Sequence, residues 1–153
     1  METNEQKEMS RRKFIGLAAA GSAFTIVPRH VLGGTGYTAP SDKVNIACVG
    51  VGGKGRSDIE SASKETIVAL CDVDDARMAL TIYKDAEKNP QLLKAAKYKD
   101  FRVMLDKEKS IDAVVVSTPD HTHAVIAIPA MKLAKHVFVQ KPLTHTAPEA
   151  RPP

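Results

Sequence analysis

The residues that could do chemistry begin with a glycine-rich hexapeptide. Positions 50–55 read Gly-Val-Gly-Gly-Lys-Gly, which fits the pattern G-x-G-x-x-G, and they directly follow an apolar run. In this pattern the first glycine permits a tight turn, the second lets a pyrophosphate approach the backbone, and the third lets a helix pack closely on a strand. The N-terminus of the following helix offers free N–H groups and a partial positive charge, so the motif predicts phosphate binding.

Asp72 extends this prediction to a ribose. It closes a second apolar run about 20 residues after the first glycine, where a carboxylate accepts hydrogen bonds from ribose hydroxyls and repels a 2′-phosphate. We therefore predict a site for NAD, with NADP the weaker ligand, whereas Arg77 lies too far into the next helix to be assigned a phosphate. The alternative is a glycine turn without a ligand, with Asp72 as a helix cap. The predicted cofactor contacts here are Gly50, Val51, Gly52, Gly53, Gly55 and Asp72.

Two polar stretches follow later apolar runs. Residues 117–123 read Ser-Thr-Pro-Asp-His-Thr-His, and residues 140–142 read Gln-Lys-Pro. In an open α/β sheet, ligands lie outside the carboxyl ends of the strands, so both stretches are predicted to face the nicotinamide end of a dinucleotide. The additional predicted cofactor contacts are Ser117, Thr118, Pro119, His121 and Gln140.

Alternating strands and helices would position these residues. Apolar runs predict strands at 44–49, 66–71, 111–117 and 136–139, with a short strand near residue 98. Helices are predicted over 53–63, 74–89, 101–109 and 121–134, and 91–97 adds a helical turn. Strands this apolar are expected to be buried on both faces. The pattern predicts a single α/β domain with a doubly wound, Rossmann-like parallel sheet.

Composition excludes several other classes of protein. The chain has 153 residues, is 43% hydrophobic and 26% charged, and carries a net charge of +4, which fits one globular domain. Basic residues form no stripe and aromatic residues make up only 5%, so we expect no nucleic-acid partner. Two cysteines, Cys48 and Cys71, exclude a disulfide scaffold and are expected as buried thiols. His121 and His123 lack a third ligand at a suitable spacing, so no metal site is predicted.

The N-terminus has the pattern of an export leader. Ser-Arg-Arg-Lys-Phe-Ile at 10–15 resembles the twin-arginine signal, and the apolar stretch to residue 27 is too short to span a bilayer. A surface amphipathic helix is the alternative. We expect export of the folded chain by the twin-arginine machinery to the periplasm or beyond, with membrane anchoring if the leader is uncleaved. The predicted divisions are 1–36 for the signal and the start of a linker, 37–42 for the linker, 43–147 for the dinucleotide-binding domain and 148–153 for a truncated tail.

The two strand-end motifs resemble those of a known family. Residues 118–123, Thr-Pro-Asp-His-Thr-His, and residues 140–142, Gln-Lys-Pro, are similar to the T-P-N-x-x-H and E-K-P motifs of the Gfo/Idh/MocA oxidoreductases. This resemblance covers about residues 43–151. It implies a Rossmann domain that binds NAD or NADP, and hydride transfer to or from a sugar or cyclitol. It also implies catalytic roles for Lys141 and His123, while Asp120 and Gln140 depart from the motifs by replacing Asn and Glu.

The resemblance also bears on how much of an enzyme is present. The family continues with a second α/β domain that supplies the substrate pocket, and this sequence stops at Pro153. We expect a truncated chain whose C-terminal substrate domain is missing and which does not turn over sugar alone. The alternatives are a non-catalytic dinucleotide-binding remnant and a fragment of an NAD-dependent glycosidase, which uses the same hydride step.

Overall fold

A computed structural model describes Gly34 and residues 38–151. The chain divides into two units, Met1–Ser41 and Asp42–Pro153, and the second contains all the strands and α-helices described below. The predicted twin-arginine segment lies outside the described residues. Within the described part of the chain, no helix has the length and apolar character needed to cross a membrane.

Five parallel strands form one sheet. They are β1 (Asn45–Val49), β2 (Thr66–Cys71), β3 (Ala96–Tyr98), β4 (Ala113–Val116) and β5 (His136–Val139). Their spatial order is β3-β2-β1-β4-β5. After β1 the chain adds β2 and β3 on one side of that strand, and it then crosses over to add β4 and β5 on the other side. This confirms the predicted doubly wound, Rossmann-like α/β fold. It also places the switch point, where such sheets bind ligands, beside the carboxyl end of β1.

Five α-helices connect the strands. They are α1 (Lys54–Ser61), α2 (Asp75–Asp85), α3 (Gln91–Lys94), α4 (Phe101–Lys107) and α5 (His123–Lys132). Asp74 and Asp100 cap α2 and α4 by accepting hydrogen bonds from backbone N–H groups. The helix predicted over 121–134 begins two residues later, because residues 120–122 form a 3-10 turn after Pro119.

The helices cover both faces of the central strands. Ile46 and Cys48 of β1 pack in one apolar cluster with Leu70, while the alternate residues Ala47 and Val49 pack in the other cluster. Burial on both sides explains why β1, β2 and β4 are continuously apolar in sequence.

The two cysteines are free, buried thiols, as predicted, and they lie on opposite faces of the sheet. Burial raises the pKa of Cys48 and of Cys71 to about 12. Both side chains therefore act as small apolar groups of the core.

The strand β5 departs from the expectation of burial on both faces. Its residues alternate between exposed and half-buried, and the Phe138 side chain is 56% exposed. The physical reason is position, since β5 is the edge strand beyond β4 and contacts only one neighbouring strand in the sheet.

Gly55 allows α1 to pack against the end of β1. A Cβ added to Gly55 would collide with the backbone carbonyl oxygen of Gly50 and lie 2.8 Å from its carbon. We predict that Gly55→Ala lowers the free energy of unfolding by about 2 kcal/mol, because displacing backbone outweighs the ~1 kcal/mol that alanine gains in a helix. Urea denaturation measures this change. Ser57→Ala, at an exposed position of α1, is the matched control, and an equal effect of both substitutions would contradict the role of Gly55.

Candidate functional site

The glycine loop follows β1 and packs closely against the end of β2 on one side and the segment after β4 on the other. The backbone N–H of Gly50 donates to the Cys71 carbonyl at 2.8 Å, and Gly50 has a φ of 81°, in the region that favours glycine. A Cβ at Gly50 would lie 2.8 Å from the Ser117 carbonyl oxygen and 2.9 Å from the Thr118 nitrogen. The absence of a side chain therefore brings the loop after β1 against the loop after β4.

Backbone donors remain available where the loop leads into α1. No side chain caps this helix, and no described residue accepts a hydrogen bond from the N–H groups of Gly52 and Gly53. Unpaired N–H groups at a helix N-terminus form an anion site, and the helix dipole adds a partial positive charge. The loop thus has the donor set that a phosphate requires.

Asp72 joins the loop after β2 to the glycine loop. One of its carboxylate oxygens accepts from the Val51 N–H at 2.9 Å, and the other accepts from the Asp74 N–H at 3.0 Å. Each oxygen keeps a further lone pair for a ligand hydroxyl. The cap of α2 is Asp74, whose carboxylate accepts from the Arg77 N–H, so the alternative of Asp72 as the cap is wrong.

A cleft of about 940 Å³ opens at the carboxyl ends of β1 to β4. Its volume and position suit an extended dinucleotide. The predicted cofactor contacts that line it are Gly50, Gly52, Asp72, Ser117, Thr118, Pro119 and His121. Val51 is fully buried and contributes its N–H to Asp72, whereas Gly53 lies exposed at the start of α1.

Arg77 also lines this cleft. From the sequence alone Arg77 is not assigned a phosphate, because it lies well into the helix that follows Asp72. A Cβ at Gly52 would collide with the Arg77 side chain, which therefore lies across the glycine loop. The packing of α2 explains this position, because the Thr81 hydroxyl donates to the Val51 carbonyl at 3.1 Å. Arg77 precedes Thr81 by four residues and shares its helix face. That i,i+4 spacing was the available sequence signal.

A buried carboxylate, Asp58 of α1, holds the back of the site. It is 8% exposed and accepts hydrogen bonds from Lys54 Nζ at 2.7 Å and Ser117 Oγ at 2.6 Å. It also accepts from Gln140 Nε2 at 2.9 and 2.8 Å, one bond to each oxygen. Sequence reasoning missed this residue, whose only signal is its place on an apolar helix face beside Ile59.

Gln140, a predicted cofactor contact, is not among the residues that line the cleft. Its side-chain Nε2 donates to Asp58, so Gln140 braces the end of β5 against α1. The contact also explains the departure from the E-K-P motif. A glutamate at position 140 would set a second carboxylate against Asp58, whereas the glutamine amide donates to it.

His123 is a buried link between two loops. It is 1% exposed, with Nδ1 2.6 Å from the Pro142 carbonyl oxygen and Nε2 2.8 Å from the Thr118 carbonyl oxygen. Each ring nitrogen lies within hydrogen-bond distance of a backbone carbonyl, and the N–H of a neutral ring donates to one of the two; His123 does not line the cleft. The catalytic role predicted for His123 stays a prediction, and in this structure the ring links the loops after β4 and β5.

Lys141 follows β5 and is exposed. It precedes a cis peptide bond to Pro142, the residue whose carbonyl contacts His123. Among the described residues, no cluster of three or more His, Cys, Asp or Glu side chains is arranged to hold a metal ion.

The fold and the cleft define a dinucleotide-binding domain of the Rossmann type. A family model described as an oxidoreductase family with an NAD-binding Rossmann fold matches residues 44–152. The chain therefore belongs to the Gfo/Idh/MocA oxidoreductase family and comprises its NAD-binding domain, which confirms the resemblance drawn from the motifs.

Known relatives place this domain within longer proteins. The chain is 34% identical over 151 residues to a glycosyl hydrolase family 109 protein of Solibacter usitatus, covering 92% of this chain and 34% of the relative. It is 30% identical to an alpha-N-acetylgalactosaminidase of Shewanella oneidensis, covering 87% and 30%. A myo-inositol dehydrogenase from Lactobacillus casei, solved with NAD(H) and myo-inositol, superposes with a TM-score of 0.62 at 26% identity, covering 71% and 31%. The chain spans about a third of the length of these proteins.

The hydrogen bonds to Asp58 should make the free energy of unfolding depend on pH. Burial alone would raise the pKa of Asp58, but the bonds from Lys54, Ser117 and Gln140 outweigh it and lower the pKa. A lowered native pKa means that the carboxylate stabilises the fold above about pH 4 and loses this effect as the pH falls through the native value.

We predict that Asp58→Asn lowers the free energy of unfolding by about 2 kcal/mol at pH 7, and that the deficit shrinks toward pH 3. Urea denaturation across this pH range measures it. Asp106→Asn, which removes a carboxylate that is 84% exposed, is the control and should change stability little. A deficit for Asp58→Asn that is independent of pH would contradict the stabilising role of its charge.

Proposed function

We propose that this domain binds NAD in preference to NADP and serves an oxidoreductase that acts on a sugar or cyclitol. The observation that carries the proposal is the bond from the Val51 N–H to Asp72. It fixes a carboxylate beside the phosphate-binding loop, one residue from the open N–H groups. The spacing suits a ligand with a ribose next to a pyrophosphate.

The chain's own residues would divide the work of binding. The N–H groups of Gly52 and Gly53 would donate to the pyrophosphate, and the free lone pairs of Asp72 would accept from the ribose hydroxyls. A 2′-phosphate would face the Asp72 carboxylate at short range, and the repulsion would favour NAD. Bound NAD supplies the hydride acceptor or donor for the reaction.

The loops after β4 and β5 would form the nicotinamide end of the site. Thr118, Pro119 and His121 line that end of the cleft. We assign Lys141 as the group that polarises or deprotonates the reacting hydroxyl, which rests on its match to the family's lysine. His123 would act as a positioning residue, since its ring joins the Thr118 and Pro142 carbonyls.

An NAD-dependent glycosidase is the second candidate for the whole protein. Relatives at least 30% identical to this chain are named as glycosyl hydrolase family 109 proteins, and one is named as an alpha-N-acetylgalactosaminidase. Such an enzyme would use the same cofactor domain. Release of sugar from a glycoside, rather than net reduction of NAD by a free sugar, distinguishes it from a dehydrogenase. A third candidate, a dinucleotide-binding remnant without activity, would bind NAD and do neither.

The preference for NAD is tested by calorimetry with NAD and NADP. We predict at least about tenfold tighter binding of NAD, and Asp72→Ala should weaken NAD and erode the difference, because both the ribose acceptor and the repelling charge are lost. Asp106→Asn is the control, because it also removes one negative charge but at a position outside the cleft. Equal or tighter binding of NADP by the unaltered chain would contradict the proposal.

We also propose that residues 1–36 direct export through the twin-arginine route, a proposal that rests on the sequence Ser-Arg-Arg-Lys-Phe-Ile. Replacing Arg11 and Arg12 together by lysine keeps the charge and removes the paired guanidinium groups. We predict that the double variant stays in the cytoplasmic fraction while the unaltered chain reaches the periplasm or the medium. Cell fractionation and immunoblotting measure this, and Lys7→Arg is the control. Unchanged export of the double variant would contradict the assignment.

A further inference from the structure

We propose that Arg77 is the cation that contacts the pyrophosphate of the dinucleotide, an inference that rests on the proposed NAD site. The starting observation is the position of its side chain on the glycine loop. A Cβ at Gly52 would collide with Arg77 Cδ, lie 2.7 Å from Cγ and lie 3.0 Å from Nη1. The arginine therefore lies on the face of Gly52 that a pyrophosphate must approach.

The guanidinium of Arg77 is the least committed cation of the cleft. The described cleft also contains Lys99 and Arg102, and each is bound by a carboxylate, Asp75 at 2.5 Å and Asp100 at 2.7 Å respectively. Arg77 has only a long contact, 3.7 Å from Nε to Asp74.

The exposure of the Arg77 side chain also supports a role in binding phosphate. Its side chain is 57% exposed, and a guanidinium has five N–H donors, so most of them are available to a ligand. The pair with Asp74 is itself half exposed and contributes little.

The backbone of α2 holds Arg77 above the loop. Asp74 caps the helix through the Arg77 N–H at 3.0 Å, and Thr81 anchors the next turn to the Val51 carbonyl. A phosphate that accepts bonds from the Gly52 and Gly53 N–H groups would thus lie beneath the guanidinium after a change of side-chain rotamer. Arginine binds phosphate oxygens in a bidentate fashion, which gives the loop a side-chain partner in addition to its backbone donors.

The geometry favours the pyrophosphate over a ribose 2′-phosphate. Arg77 contacts Gly52, the position of pyrophosphate approach, whereas a 2′-phosphate would lie at Asp72. The two assignments differ in their consequences. A pyrophosphate contact affects NAD, NADP and ADP alike, while a 2′-phosphate contact affects NADP alone.

The experiment compares Arg77→Gln and Arg77→Lys with the unaltered chain. Calorimetry measures binding of NAD, NADP and ADP, and ligand-observed NMR measures binding of adenosine, which lacks phosphate. We expect Arg77→Gln to weaken NAD, NADP and ADP by at least about tenfold and adenosine by less than twofold. Arg77→Lys should give an intermediate loss, since it keeps the charge without the planar fork.

Lys109→Gln is the matched control for loss of one positive charge. Lys109 is 73% exposed and precedes β4, at the opposite edge of the sheet from the cleft. It should leave all four affinities within twofold, and thermal denaturation should show that each variant is folded. If Arg77→Gln fails to fold, the comparison rests on Arg77→Lys.

Several results would overturn the proposal. Weakening of NADP alone would place Arg77 at the 2′-phosphate, and tighter binding of NAD by Arg77→Gln would show that the side chain only obstructs the loop. Equal NAD affinity in both Arg77 variants and the unaltered chain would remove Arg77 from the site while leaving the proposed NAD function intact. Absence of any binding by the folded, unaltered chain would overturn the proposed function and this inference together.

Discussion

The buried carboxylate of Asp58 is the interaction on which the arrangement of the site depends. A charge that is 8% exposed is stable only when donors surround it, and here the donors come from three parts of the chain: Lys54 on α1, Ser117 after β4 and Gln140 after β5. The cost of leaving Asp58 unpaired therefore holds the two strand ends against the first helix. The glycine loop between them is held by the hydrogen bonds to Asp58 and by the close packing of its own backbone, Gly55 against Gly50 and Gly50 against Ser117.

This arrangement separates the residues that build the site from those that face a ligand. The Ser117 hydroxyl and the Gln140 Nε2 donate to Asp58, and the buried His123 ring lies between two backbone carbonyls. The polar groups that line the cleft include Asp72, Arg77 and the glycine loop, whereas the cleft residues Lys99 and Arg102 are paired with carboxylates. Such a division suits a dinucleotide, because the ligand supplies its own charge and hydroxyls and needs a rigid set of complementary groups.

The fold was predictable because its signals are local. Apolar runs ended by polar or glycine residues marked β1, β2, β4 and β5. The glycine loop and Asp72 were predictable for the same reason, since both follow strand ends. The positions of Asp58, Arg77 and His123 were not, because each depends on contacts between segments distant in sequence. His123 matched a catalytic motif, yet only the packing of Pro142 and Thr118 around its ring reveals that it is buried.

His123, a motif residue of this family, links two backbone segments in this chain. Hydride transfer requires the reacting atoms to lie within about 3–3.5 Å of one another, and small displacements reduce the rate steeply. The His123 ring fixes the loop after β4 relative to the loop after β5, and those loops contain the residues proposed for the nicotinamide end and for proton transfer. Both neighbours of Lys141 are also held in place. The Gln140 side chain donates to Asp58, and the Pro142 carbonyl oxygen lies against the His123 ring.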